Sequence, residues 1–229
     1  MSAVTWDVLY EDNHCLAVNK PAGMLTMGDA TGDESLWQQA RDYLKSKYRK
    51  PGNVYLGVVH RLDRPVSGVV LFARTSKAAA RLSEQFRMRS VVKVYRGLVD
   101  RPLVPAAGVL DDWLLKDRST NRVQTVAPGT PSARHCELRY RTLRLPRGQL
   151  PGGLAFLEIE PVTGRSHQIR VQIATRGSPI CGDRKYGSRV KLAGQIALHA
   201  YRLTFQHPTQ GTTVSLNAAE PDGWWRISR

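Results

Sequence analysis

Short apolar segments bounded by turn residues fill most of this chain, and few stretches carry a helical period. Strand-type segments are read at 4–10 (VTWDVLY), 15–18 (CLAV), 69–74 (VVLFAR), 91–99 (VVKVYRGLV), 108–115, 122–126, 133–145, 154–160, 197–205 and 212–217. The helical stretches are 34–49, a segment capped by Thr75 or Ser76 and running to about Arg89, and about Ser166 to Arg176, closed by Gly177. The Pro51-Gly52 pair stops the first of these. Strands outnumber helices and lack regular βαβ alternation, which argues against a doubly wound parallel sheet. The expectation is an α+β fold: a mixed, largely antiparallel sheet flanked by a few helices. The 229 residues suffice for a core without disulfide or metal staples, and residues 1–229 are read as one domain.

Charge then narrows function. Lys and Arg number 34 against 19 Asp and Glu, a net +15. Residues 1–50 hold 6 basic and 7 acidic residues, and residues 51–229 hold 28 and 12, so the excess lies wholly in the later part of the chain. That concentration is the footprint of a polyanion binder. A solvated basic face serving only solubility is the alternative, although solubility needs only a modest net charge. Three widely spaced cysteines (Cys15, Cys136, Cys181) argue against a disulfide framework or zinc knuckle and fit a reducing, cytoplasmic setting. No apolar run approaches the roughly 20 residues of a membrane helix. The sequence has no phosphate loop, dinucleotide fingerprint, serine-hydrolase elbow or zinc motif. Chemistry here is expected to use side chains alone, without metal or cofactor.

Two segments concentrate reactive groups. In His60-Arg61-Leu62-Asp63-Arg64-Pro65-Val66-Ser67-Gly68, one carboxylate sits among His60, Arg61 and Arg64, on a turn made by Pro65 and Gly68. An Asp that merely caps the turn is the plainer reading. In Thr163-Gly164-Arg165-Ser166-His167-Gln168-Ile169-Arg170, Arg165 precedes the third helix and is expected, with the helix N–H groups, to form an anion site. The anion is either a phosphate or a carboxylate such as Asp63; a plain N-cap by Ser166 is the other reading.

HRLD with its Ser-Gly turn, followed about a hundred residues later by GRSHQIR, resembles the RluA-type RNA pseudouridine synthases. Further resemblance lies in VLYEDNHCLAVNKPAGM (8–24), KVYRGLV (93–99), PICGDRKYG (179–187) and ALHAYRLTFQHP (197–208), all in the family's order. The resemblance implies the pseudouridine synthase catalytic-domain fold and an isomerase that detaches uracil from ribose and rejoins it through C5, without cofactor or metal. It places the catalytic carboxylate on Asp63, its arginine partner on Arg165, and the ring that stacks on the target base on Tyr95. As a buried ion-pair partner, Arg165 would also support stability. Arg61 matches the side chain that fills the space vacated by the flipped base. His60, Lys20, Gln168 and Arg170 are candidate RNA-binding or scaffold residues. Val66 departs from the usual Thr and loses a hydroxyl. The catalytic strands begin near residue 4, so no preceding RNA-binding domain is expected. The implied partner is a structured loop of ribosomal or transfer RNA, bound by a monomer. A non-catalytic RNA-binding protein with this fold is the alternative, and it predicts loss of Asp63, Tyr95 or Arg165.

Overall fold

The computed structural model describes residues 6–145, 150, 152–192 and 195–226. These fall into two compact units, one reaching up to Val92 and resuming at Ala200–Ala219, the other spanning Lys93–His199 and resuming at Glu220.

In the first unit, β1 (Asp7–Glu11) and β2 (Cys15–Lys20) form an antiparallel hairpin. Asp12 fixes its turn by accepting the backbone N–H groups of His14 and Cys15 through Oδ1. β2 pairs with β4 (Ser67–Ala73) in a register that sets Lys20 opposite Gly68. A two-residue strand, β3 (Gly57–Val58), borders the far end of β4. β10 (Leu198–Gln206) follows β4 in the strand order and carries β11 (Thr213–Asn217). α1 (Leu36–Lys47) starts at a capping box made by Ser35 and Gln38, and α2 (Ser76–Arg87) starts on the Thr75 hydroxyl. Alternate residues of β2, Cys15 and Ala17, join Val69, Leu71, Leu82, Leu203 and Phe205 in one core.

In the second unit, β5 (Val92–Val99), β9 (Ala155–Pro161), β8 (Arg134–Leu143), β6 (Ala107–Asp117) and β7 (Arg122–Val126) pair antiparallel in that order. α3 (Gln168–Ala174) packs on β6 and β7, with Val171 against Leu114, Val123 and Cys136. Short 3-10 turns occupy Arg184–Tyr186 and Asp222–Arg226. Trp224 is buried and meets His199 edge-to-face, their centroids 6.2 Å apart; the side chain of Trp225 lies outside the described residues.

The α+β, largely antiparallel reading holds, and every expected strand and helix has a counterpart. α3 is the main correction. It begins at Gln168, not Ser166, and has seven residues. His167 precedes it in the left-handed region at φ 52° and no side chain caps it. All three cysteines are buried and none is in a disulfide, and among the described residues no helix is long and apolar enough to cross a membrane.

Candidate active site

Asp63 lies in the first unit, on the turn that feeds β4. It is half-buried, and the backbone on both sides of it is fixed. Before it, Leu62 and Thr26 bond reciprocally: the Thr26 hydroxyl donates to the Leu62 carbonyl at 2.9 Å and accepts the Leu62 N–H at 3.1 Å. After it, Arg64 and Gly23 do the same, with Gly23 N–H donating to Arg64 O at 2.8 Å and Arg64 Nε donating to Gly23 O at 3.0 Å. Gly23 sits at φ +87°, which the Lys-Pro-x-Gly turn requires and an L side chain resists. The Asp63 carbonyl accepts the Val66 N–H at 3.0 Å and closes the turn. Val66 is buried, an environment in which a methyl serves as well as the hydroxyl it replaces.

Lys20 stands beneath this loop, fully buried at the end of β2. Its Nζ donates to the carbonyls of Pro21 (2.9 Å), Met24 (2.7 Å) and Arg64 (3.2 Å). Burial draws the ammonium down to about 7, opposed by the attraction of Asp63 and reinforced by the repulsion of Arg64. Lys20 thus joins the Lys-Pro-x-Gly turn to the Asp63 loop and adds positive charge near the carboxylate. His60 is likewise engaged: its Nε2 accepts the Leu71 N–H at 2.9 Å, just past the short strand β3, and its ring stacks on Phe86 with centroids 4.7 Å apart. Arg61 and Arg64 are exposed, and Arg64 also pairs with Asp33 at 2.7 Å.

Tyr95 and Arg165 belong to the second unit. Tyr95 is half-buried on β5, opposite Ile159 of β9. Arg165 is exposed, which removes the stability role expected of a buried ion-pair partner, and its Nε donates to the His135 carbonyl of β8 at 3.0 Å. The anion site expected at a helix N-terminus does not form there. α3 starts three residues after Arg165, and the Arg165 backbone N–H is taken by Gln168 Oε1 at 3.0 Å.

Gln168 itself is buried. Its Oε1 accepts the Thr163 hydroxyl at 2.7 Å and its Nε2 donates to Glu137 O at 2.9 Å, so one amide ties the Arg165 turn to β8. Arg170 is buried and grips both oxygens of Asp183, at 2.6 and 2.9 Å. The geometry gives Lys20, His60, Gln168 and Arg170 scaffold bonds. Thr26, Gly23 and Asp183 do comparable work and were not singled out in the sequence. Gly23 was legible in the Lys-Pro-x-Gly turn, whereas Thr26 lies 36 residues from its partner and carries no local signal.

Residues 14–175 match the family model described as RNA pseudouridylate synthase. The dual-specificity RNA pseudouridine synthase RluA of Salmonella typhimurium is 34% identical over 213 residues, covering 91% of this chain and 90% of that protein. The uncharacterized RNA pseudouridine synthase YhcT of Bacillus subtilis is 32% identical over 216 residues, covering 94% and 68%. Among solved structures, human RNA pseudouridylate synthase domain containing 4 shares the fold, with a TM-score of 0.77 at 23% identity over 97% of this chain and 94% of that one. With the family model spanning most of the chain, and a relative matched along nine-tenths of its own length, this chain belongs to the RluA family of RNA pseudouridine synthases.

Proposed function

We propose that the chain isomerises a uridine in an exposed loop of structured ribosomal or transfer RNA, acting as a monomer in the cytoplasm with residues 1–229 as one catalytic domain. The observation that carries this is the Asp63 loop: a half-buried carboxylate whose flanking backbone is bonded to Thr26, Gly23 and Lys20. A catalytic carboxylate needs this fixity, because small misplacements of a reacting group cost large factors in rate. In this reading Asp63 acts on the target nucleotide through its carboxylate, and Arg165 serves the same reaction, the role the family resemblance gives it. Tyr95 stacks on the flipped base and its hydroxyl serves a proton transfer. Arg61, exposed beside the loop, occupies the gap the base leaves in the RNA. Among relatives, one from Vibrio parahaemolyticus is named a ribosomal large subunit pseudouridine synthase, which supports ribosomal RNA, and another is named a dual-specificity RNA pseudouridine synthase.

The test is pseudouridine mapping of total RNA from cells with the gene, without it, and with Asp63→Asn in its place. One or a few ribosomal or transfer RNA positions should lose the modification in the last two. Asn keeps the volume and loses the charge, so the variant should fold and still bind RNA, whose phosphates are held by other residues. An unchanged map, or normal modification with Asp63→Asn, would overturn the reading.

A further inference from the structure

Five non-glycine residues take a positive φ among the described residues. Arg49 and Arg89 follow the ends of α1 and α2, where a left-handed residue commonly closes a helix. Asn121 and Ser132 lie in turns. His167 differs, because it stands directly before a helix and two residues after Arg165. A left-handed conformation is unfavourable for a residue with a Cβ and persists where neighbours hold it.

The neighbour is Tyr186, in the same unit. Its hydroxyl lies 2.6 Å from His167 Nδ1 and accepts the Val123 N–H of β7 at 3.1 Å. The two rings meet edge-on, with centroids 5.8 Å apart. Tyr186 is itself held. Its N–H donates to the Asp183 carbonyl at 3.0 Å, its ring faces the Arg170 guanidinium at 5.0 Å, and Arg170 grips the Asp183 carboxylate. On the other side, the His167 carbonyl accepts the Val171 N–H at 3.0 Å and so starts α3.

The turn that carries Arg165 is therefore fixed at both ends. The Gln168 amide takes the Thr163 hydroxyl and the Arg165 N–H, and Tyr186 takes His167. Glycine is the ordinary occupant of a left-handed position and would reach the same backbone shape more easily. Histidine adds what glycine lacks, an anchor to a second element. We infer that Tyr186 is a positioning residue for the isomerisation: acting through His167, it sets where the turn presents Arg165. Its hydroxyl accepts from Val123 and donates its own proton to His167 Nδ1, so the imidazole carries its proton on Nε2. The role rests on the function proposed above, because Arg165 is the residue it serves.

The test uses the full chain and an RNA stem-loop carrying the uridine that the mapping identifies. Tyr186→Phe keeps the ring over Arg170 and removes the hydroxyl. His167→Asn is its counterpart, because Asn tolerates the left-handed conformation but is too short to reach Tyr186. Melting curves check that each variant is folded at the assay temperature. Single-turnover rates at excess enzyme should fall about tenfold in either variant, with RNA affinity within about twofold of wild type. The double variant should be no slower than either single one. Added to Arg165→Met, Tyr186→Phe should slow the reaction no further, since the residue it acts through is gone. Hydrogen exchange across 163–168 should quicken in Tyr186→Phe. An equal loss of rate on the Arg165→Met background would show a general structural effect and overturn the role, and so would unchanged exchange across 163–168. Wild-type turnover in Tyr186→Phe would overturn the role alone, whereas an RNA map unchanged by loss of the gene would reject the catalytic reading and the role together.

Discussion

Lys20 reaches the carbonyl of Arg64, 44 residues along the chain and directly after Asp63, with an Nζ to O distance of 3.2 Å. The same ammonium bonds Pro21 and Met24, so one buried cation joins two loops and gives the part-buried carbonyls of Pro21 and Met24 a donor. Unsatisfied buried acceptors cost ~1–3 kcal/mol each.

Lys20→Met should therefore lower stability and, through the Asp63 loop, cut turnover by roughly 10–100-fold. Stability should also reveal the titration. Lys20 titrates at about 7 when folded, below its ordinary 10.5, so between those values the unfolded chain holds a proton that the folded chain lacks. Wild-type stability thus gains from this group as pH rises through that window, and the Met variant lacks the gain. The difference in melting temperature between the two should widen from pH 7 to pH 10. A gap that stays constant would show that Lys20 titrates alike in both states.

Gly68, at φ +116°, is the second fixed point of the loop. A Cβ there would fall on the Ala200 backbone, which has no freedom to retreat as a side chain would. Gly68→Ala combines an unfavourable backbone conformation with a clash, so its loss of stability should exceed the roughly 1 kcal/mol typical of point substitutions. Denaturant unfolding would measure it. Gly23→Ala meets no neighbour within 4 Å and should cost less.

Much of this architecture was legible because strand alternation and cap residues are local signals. Thr75, for example, announces itself directly before the helix it starts. What was not legible depends on distant partners. Gly57-Val58 is a strand only because β4 runs beside it. α3 looked longer because Ser166 and His167 continue its polar start, but the Gln168 amide claims the Arg165 backbone and delays the helix. Arg165 and Arg170 look alike in sequence, yet one is exposed and the other buried.

That contrast makes a paired prediction. Arg170→Met would leave Asp183 buried without its two charged hydrogen bonds, and breaking such a pair costs ~3–5 kcal/mol. Arg165→Met removes an exposed side chain and should stay within about 0.5 kcal/mol of wild type. Activity should show the reverse order once each variant is assayed well below its melting temperature. Arg165→Met should lose turnover more than RNA affinity, and Arg170→Met should recover most of its rate on cooling. Unchanged single-turnover rates for Arg165→Met, with tenfold weaker binding, would make Arg165 a phosphate contact instead.

The remaining prediction separates base flipping from chemistry. Arg61 is exposed on a turn, with a long side chain suited to entering the RNA, whereas Tyr95 is half-buried on a strand and suited to receiving a base. Arg61→Ala should slow flipping, and an RNA whose target base is already unpaired should recover part of the rate. Tyr95→Phe keeps the stacking face and loses the hydroxyl, so flipping should persist while product formation slows. Tyr95→Ala removes the face as well, and base–aromatic stacking is worth ~1–3 kcal/mol, so flipping should weaken too. A 2-aminopurine beside the target reports flipping by fluorescence, apart from product. Loss of that signal in Tyr95→Phe, or an unaltered signal in Arg61→Ala, would contradict this division of labour, because each side chain would then act at the step assigned to the other.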